Sequence, residues 1–259
     1  MIENDICNTL PITTQWLLGS SRPIDRQPVL HVYLICCPKT GNKGTGFGIS
    51  TGLIISNEHV VRGCQASDLV VVSSAGAQVK IQKCIPDAKR DLAILVPEIK
   101  IQKGLKLDIG EDPQVGQRVH TWGFPFDHNG PAPLFLDGSI SGYQSVEGQK
   151  RFVMNGAFNP GNSGGPLFRI DSDEVIGIVV AKQIFPLTPW LSSALEVLKN
   201  NSSGLMFEAI DERGNKRFFA ESQLVADLLI HFRNQSQVMI GQAIAVSELR
   251  DFLTSKSMV

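Results

Sequence analysis

No stretch of this 259-residue chain approaches the roughly 18 consecutive apolar residues that a membrane-spanning helix requires. Charge is nearly balanced: 24 Lys and Arg against 25 Asp and Glu leave a net −1, so no broad field draws nucleic acid or an anionic membrane. Cysteine is sparse. The five present (Cys7, Cys36, Cys37, Cys64 and Cys84) are an odd set without the CxxC spacing of a metal site. The start, MIENDICNTLPITTQWLLGSS, carries acidic residues and lacks the apolar run of a secretory signal. Unpaired cysteines and no leader predict a cytoplasmic setting, with Cys36 and Cys37 as small buried side chains of a strand. Repeats and low-complexity tracts are also absent. With 42% apolar and 19% charged residues, the chain has the balance needed to bury a sizeable core.

What is present is β-like. After an arm reaching about Gln27, short apolar runs follow one another between glycine, proline and aspartate: VLHVYLICC, GTGFGISTGLIIS, DLVVVSS, RDLAILV, QRVHTWGF, LFLDGSISGY, RFVMNGAF and EVIGIVVAKQ. Their spacing predicts a sandwich or barrels. Residues 97–115 read as a connection between two β units. The pattern changes after Pro186. Thr188 and Pro189 mark a helix start, with Leu191, Leu195 and Leu198 on one face. A hairpin follows around Arg213-Gly214-Asn215, then an amphipathic helix with Leu224, Leu228 and Phe232 at i, i+4, i+8. The closing GQAIAVSELRDFL reads as a strand and a helix capped by Ser247.

The segment NPGNSGGPL, residues 159–167, spends three glycines, two prolines and a serine on one turn. Serine is a poor nucleophile unless a base takes its proton, so Ser163 needs a histidine and a group to orient it. His59, in SNEHVVRG, stands where a strand gives way to a turn. His31 and His120 fall in apolar strands, where a packed core histidine is the better reading. His128 and His231 read as a loop and a helix-surface residue. A metal site from His120, Asp127 and His128 is weakly supported, and no metal is predicted. Asp91 opens the apolar run DLAILV; taken alone, a salt bridge and an orienting role weigh evenly. The order His59, Asp91, Ser163 is that of the chymotrypsin-type triad. Glycines beside the nucleophile let the amides of Gly161 and Ser163 converge on a developing oxyanion.

Residues 43–181 resemble the protease domain of the trypsin-like serine peptidases, specifically the HtrA/Deg branch. The resemblance is carried by GTGFGIS, GLIISNEHVV, DAKRDLAIL, VGQRVHTWGFPF, NGAFNPGNSGGPL and EVIGIVVA. It implies a mostly β fold of two packed antiparallel barrels, at about 28–108 and 115–246. An N-terminal arm (1–27), an insert at about 184–239 and a C-terminal helix at about 247–255 complete the expectation, with 28–259 as the protease domain. There are departures. Asn162 stands where digestive proteases carry the aspartate that pairs with a newly cleaved N-terminus, and no PDZ domain is expected after the last helix. Val180 replaces a serine or threonine that often flanks the triad aspartate. The insert is far longer than the usual connection, and reads equally as padding or as a lid or regulatory dock.

By the same resemblance, Ala157, Val180, Ala181 and Lys182 line the primary specificity pocket. Without an acid there, a small to medium apolar substrate residue is expected rather than a basic one; Lys182, if turned inward, would admit an acidic one. The expectation is therefore a cofactor-free serine endopeptidase acting on protein or peptide substrates, active or latent. An alternative stays open: a catalytically silent, chaperone-like or binding protein that keeps the fold.

Overall fold

The structure, a computed structural model, describes residues 10–125, 128, 130–156, 158–180, 189–210, 216–235 and 240–258. Two helices, α1 (Ile12–Ser20) and α2 (Pro23–Leu30), occupy the stretch whose sequence gave no clear element. Contacts far away in sequence hold them. Thr14 is buried and donates to Ser74 O at 2.6 Å. Pro23 sits in the first turn of α2, where its missing N–H costs nothing. Arg22 forks onto Asp25 at 2.6 and 3.1 Å, and Asp25, itself buried, lies 3.2 Å from His120.

The first sheet comprises β1 (Val32–Cys37), β2 (Asn42–Gly48), β3 (Ile54–Ser56), a one-turn helix α3 (Glu58–Val61), β4 (Val70–Ser73), β5 (Gln78–Val79), β6 (Ile81–Asp87) and β7 (Leu92–Pro97). All pairings are antiparallel, in the order β5-β4-β1-β2-β3-β7-β6, giving a nearly closed barrel. β3 and β7 read as continuous apolar runs because both of their faces are largely buried. Tyr33, Ile35, Ile54 and Leu95 fill one side. Val32, Phe47, Ile55, Leu92 and Ile94 fill the other, in a layer shared with the second barrel.

That barrel is built from β8 (Arg118–Gly123), β9 (Leu134–Val146), β10 (Gln149–Asn155), β11 (Pro166–Arg169), β12 (Val175–Val180) and, much later, β15 (Ile240–Ala245). It closes in the order β10-β15-β12-β11-β8-β9 around Phe152, Met154, Leu167 and Val179. Trp122, Phe124, Phe168 and Ile178 face the shared layer, and α6 (Val246–Ser255) seals it with Leu249, Phe252 and Leu253. Strand spacing predicted a sandwich or barrels and the family resemblance implied two packed barrels; the mostly β, double-barrel class is the one observed. Ser247 does not cap α6: β15 runs straight into the helix, and Ala245, at φ −61° and ψ 144°, makes the break without a side-chain cap.

Residues 183–238 form a second compact unit, separate from 1–182 with 239–259. It holds α4 (Pro189–Asn200), an antiparallel hairpin of β13 (Met206–Ile210) and β14 (Lys216–Ala220), and α5 (Glu221–Gln235). The hairpin's expected turn at Arg213-Gly214-Asn215 and the N-cap at Thr188 lie outside the described residues. α5 buries Ala226, whereas its apolar stripe of Leu224, Leu228 and Phe232 stays exposed.

The cysteine reading needs correction. Cys37, at the end of β1, is bonded to Cys64 just beyond α3, with Cα atoms 6.1 Å apart. Twenty-seven residues separate them in sequence, so no local spacing announces the pair. Cys36 and Cys84 are free.

Candidate active site

α3 exists because Val60 and Val61 are buried beneath it while Glu58 and Arg62, at i and i+4, close an ion pair of 2.5 Å along its flank. This leaves His59 on the outer side, with about a third of its side chain (36%) exposed. Asp91 occupies the turn between β6 and β7 at φ +54°, a left-handed conformation that aspartate tolerates better than most residues. There both carboxylate oxygens lie 2.9 Å from His59 Nδ1, and Oδ1 also accepts from the His59 backbone N–H at 3.0 Å. A carboxylate on Nδ1 fixes the ring orientation and the tautomer that leaves Nε2 free of its proton. Asn57, fully buried at the N-cap of α3, does not cap the helix; its Nδ2 donates to Asp91 O at 2.8 Å.

The Ser163 turn packs against β2. Asn162 N and Nδ2 both donate to Asn159 O, at 3.1 and 3.0 Å, and Gly165 N returns to Asn162 O at 2.9 Å. Gly164 N donates to Val179 O and Val179 N to Gly165 O, both at 2.8 Å, tying the turn to β12. On the other side Thr45 N donates to Ser163 O at 2.8 Å. Gly164 adopts φ +86°, and a Cβ there would strike the Thr45 carbonyl and the Ser56 hydroxyl. Here glycine is required twice over, by conformation and by space.

The structure thus brings His59 and Asp91 together and holds Gly161 and Ser163 in a turn braced between the two barrels. Val180 ends β12 opposite Gln242 and is half-buried; Ala157, Ala181 and Lys182 lie outside the described residues. His120 is sealed between the rings of Phe135 and Phe168, 5.2 and 5.1 Å away, and burial pushes its pKa down to about 4. His128 Nε2 donates to Ala132 O at 2.6 Å, and Asp127 is outside the described residues. Among the described residues no three acidic, histidine or cysteine side chains are grouped to hold a metal. His31 ends α2 rather than lying within a strand, its ring nitrogens each 3.0 Å from the carbonyl oxygens of Gln27 and Gln102. Sequence reasoning passed over Thr45, Ser56 and Asn57. Their only trace was position: a threonine between two glycines, and an asparagine two residues before the histidine.

Residues 44–178 match the family model described as a trypsin-like peptidase domain. The chain belongs to the trypsin-like peptidase family. Among curated proteins this peptidase is 39% identical over 142 residues to a probable periplasmic serine endoprotease, DegP-like, of Halomonas elongata, covering 52% of this chain and 28% of that one. A DegP-like protein of Pseudomonas fulva, also named as a probable periplasmic serine endoprotease, is 36% identical over 140 residues with the same coverage. The peptidase therefore spans under a third of the length of these relatives. Among solved structures, the HtrA-type protease AlgW with a tripeptide superposes with a TM-score of 0.59 at 19% identity, covering 90% of this chain and 62% of that one. At that identity the likeness concerns fold.

These relatives overturn the cytoplasmic expectation, since both are named as periplasmic. The physical error lay in treating all five cysteines as unpaired; a Cys37–Cys64 bond belongs to an oxidising compartment.

Proposed function

We propose that this peptidase is a periplasmic serine endopeptidase in which His59, Asp91 and Ser163 form the catalytic triad. The observation that carries the reading is the Asp91 carboxylate, both of whose oxygens lie 2.9 Å from His59 Nδ1. Asp91 holds the imidazole with Nε2 as base; His59 accepts the Ser163 hydroxyl proton as Oγ attacks the scissile carbonyl; the amides of Gly161 and Ser163 receive the oxyanion. His59 then donates that proton to the leaving amine, and a water activated by the same ring releases the acyl-enzyme. Such preorganised donors are worth about 3–4 kcal/mol each in the transition state. Protein or peptide chains are the substrates, with a small to medium apolar residue on the acyl side of the cut.

One observation favours a second reading within the same chemistry. Ser163 exposes only 2% of its surface, as in a latent form that must rearrange before it takes substrate. Intact-mass analysis after incubation with a fluorophosphonate decides among these. A single adduct on the parent and none on Ser163→Ala is the expected result. No adduct on either protein speaks for latency or for a silent protein, and peptide cleavage by Ser163→Ala at the parental rate removes the triad reading altogether.

A further inference from the structure

Thr45, in the middle of β2, is fully buried, and each of its polar groups is engaged. Its backbone N–H donates to Ser163 O at 2.8 Å, and its carbonyl accepts from Ser56 Oγ at 2.7 Å. Its hydroxyl donates to Gly161 O at 2.7 Å while accepting from Phe124 N at 3.1 Å. One residue of the first barrel therefore grips two carbonyls of the nucleophile turn, those of Gly161 and Ser163, and, through Phe124, the end of a strand of the second.

The placement of these grips is specific. Gly161 O belongs to the peptide that follows the Gly161 amide, and Ser163 O to the peptide that follows the Ser163 amide. The peptide between them is held by Gly165 N on Asn162 O at 2.9 Å, and the next by Gly164 N on Val179 O at 2.8 Å. Among the carbonyls of Gly161, Asn162 and Ser163, that of Gly161 alone takes its hydrogen bond from a side chain, Thr45, while the N–H of the same peptide, Asn162 N, is bonded inside the turn to Asn159 O at 3.1 Å. Space around the hydroxyl is tight: a Cβ on Gly123 would lie 3.1 Å from Thr45 Oγ1 and 2.5 Å from Asn162 Oδ1. Glycine is the residue least able to hold its own torsions, so without the Thr45 hydroxyl as donor the Gly161–Asn162 peptide keeps only its bond inside the turn and loses its tie to β2.

We propose that Thr45 is a positioning residue whose hydroxyl fixes the oxyanion-binding turn, holding the Gly161 and Ser163 amides in their convergent arrangement before substrate arrives. This rests on the triad reading above. The hydroxyl makes no contact with substrate; it acts through Gly161, so its loss weakens a transition-state interaction and leaves ground-state binding unchanged.

Thr45→Val keeps the shape and the backbone bond to Ser163 but deletes the hydroxyl, and Thr45→Ser keeps the hydroxyl. Thr45→Ala serves if the valine variant does not fold. Parent, variants and Ser163→Ala are compared for kcat and KM on the p-nitrophenyl ester of N-acetylalanine, and for amide hydrogen exchange of the peptide covering 159–165. Thr45→Val is expected to lower kcat about 10- to 100-fold with KM within about twofold, and to raise exchange in 159–165. Thr45→Ser is expected to recover most of both. A valine variant with parental kcat and parental exchange overturns the proposal, as does a serine variant as impaired as valine, which would assign the effect to packing. If Ser163→Ala retains the parental rate, or the parent is silent, the triad reading fails or the enzyme is latent. The exchange of 159–165 then decides on Thr45 alone: faster exchange in valine reversed by serine supports it, and no change refutes it.

Discussion

The side chain of Asn57 holds the main chain of Asp91: Nδ2 donates to the Asp91 carbonyl at 2.8 Å, from the residue two places before the histidine that Asp91 orients. Asp91 sits at φ +54°, so its carboxylate direction depends on a backbone that would otherwise relax. Asn57→Ala removes this hold without touching either ionisable group. Because misplacement by about 1 Å costs about 100-fold in rate, kcat is expected to fall about 10- to 100-fold. KM should stay within about twofold, as for any loss felt only in the transition state. Steady-state kinetics on a peptide substrate, with Asn57→Asp as a variant that lacks the donor but keeps the size, would show it. An alanine variant with parental kcat would mean that the bond is decorative.

The β class was legible because burial on both faces writes itself into runs such as DLAILV, and turns into glycine and proline; that the strands close into two barrels was implied by the family resemblance. The His59, Asp91 and Ser163 surroundings were legible because each lies at the end of such a run. What stayed hidden acts across the fold. α1 and α2 are held by Thr14 on Ser74 and Asp25 beside His120, partners 60 and 95 residues away, which no local period marks. Thr45 carries no local sign of its role, because its hydroxyl acts on Gly161, 116 residues on. Cys37 looked like a buried apolar residue, as its burial says it is; only the fold shows Cys64 beside it.

His120 gives the fold a dependence on pH. Burial is the largest cause of its lowered pKa, from 6.5 to about 4; Arg22 lowers it further, while Asp25, Asp137 and Asp171 partly oppose. An unfolded chain takes up this proton below pH 6.5, whereas the folded one resists until about 4. Stability from this group is therefore complete above 6.5 and falls as the pH drops between those values, by about 3 kcal/mol at most. Denaturant melts of the parent and of His120→Phe, whose ring suits the stack between Phe135 and Phe168, should show a shallower loss on acidification in the variant. Equal slopes from pH 6.5 to 4.5 would place the acid sensitivity elsewhere.

The Cys37–Cys64 bond ties the end of β1 to the chain leaving α3, and so anchors the helix that carries His59. Closing a loop of this length restrains the unfolded chain by about 3–4 kcal/mol in the chain-entropy model. Replacing both cysteines by alanine should lower the melting temperature by roughly 10 °C for a chain of this size. A reductant should lower the parent's melting temperature in the same way and leave the double variant untouched. If reductant shifts neither protein, the bond does not form in solution.

Gly164 is where backbone geometry and the candidate chemistry meet. Its φ of +86° disfavours any side chain, and a Cβ would strike the Thr45 carbonyl and the Ser56 hydroxyl and lie 3.0 Å from Asn57 N. All three neighbours are held by backbone or by buried hydrogen bonds, so none can yield as a flexible side chain would. Gly164→Ala is therefore expected to force the nucleophile turn off β2, lowering stability by at least about 2 kcal/mol from strain alone. Fluorophosphonate labelling of the variant should be lost with it. Gly142→Ala is the matched control: that glycine lies in β9 with nothing within 4 Å of its added Cβ, and both melting temperature and labelling should stay parental. A Gly164→Ala protein that melts and labels like the Gly142→Ala control would show that the turn has room to move, and that the close approach of residues 45 and 164 is not what seats Ser163.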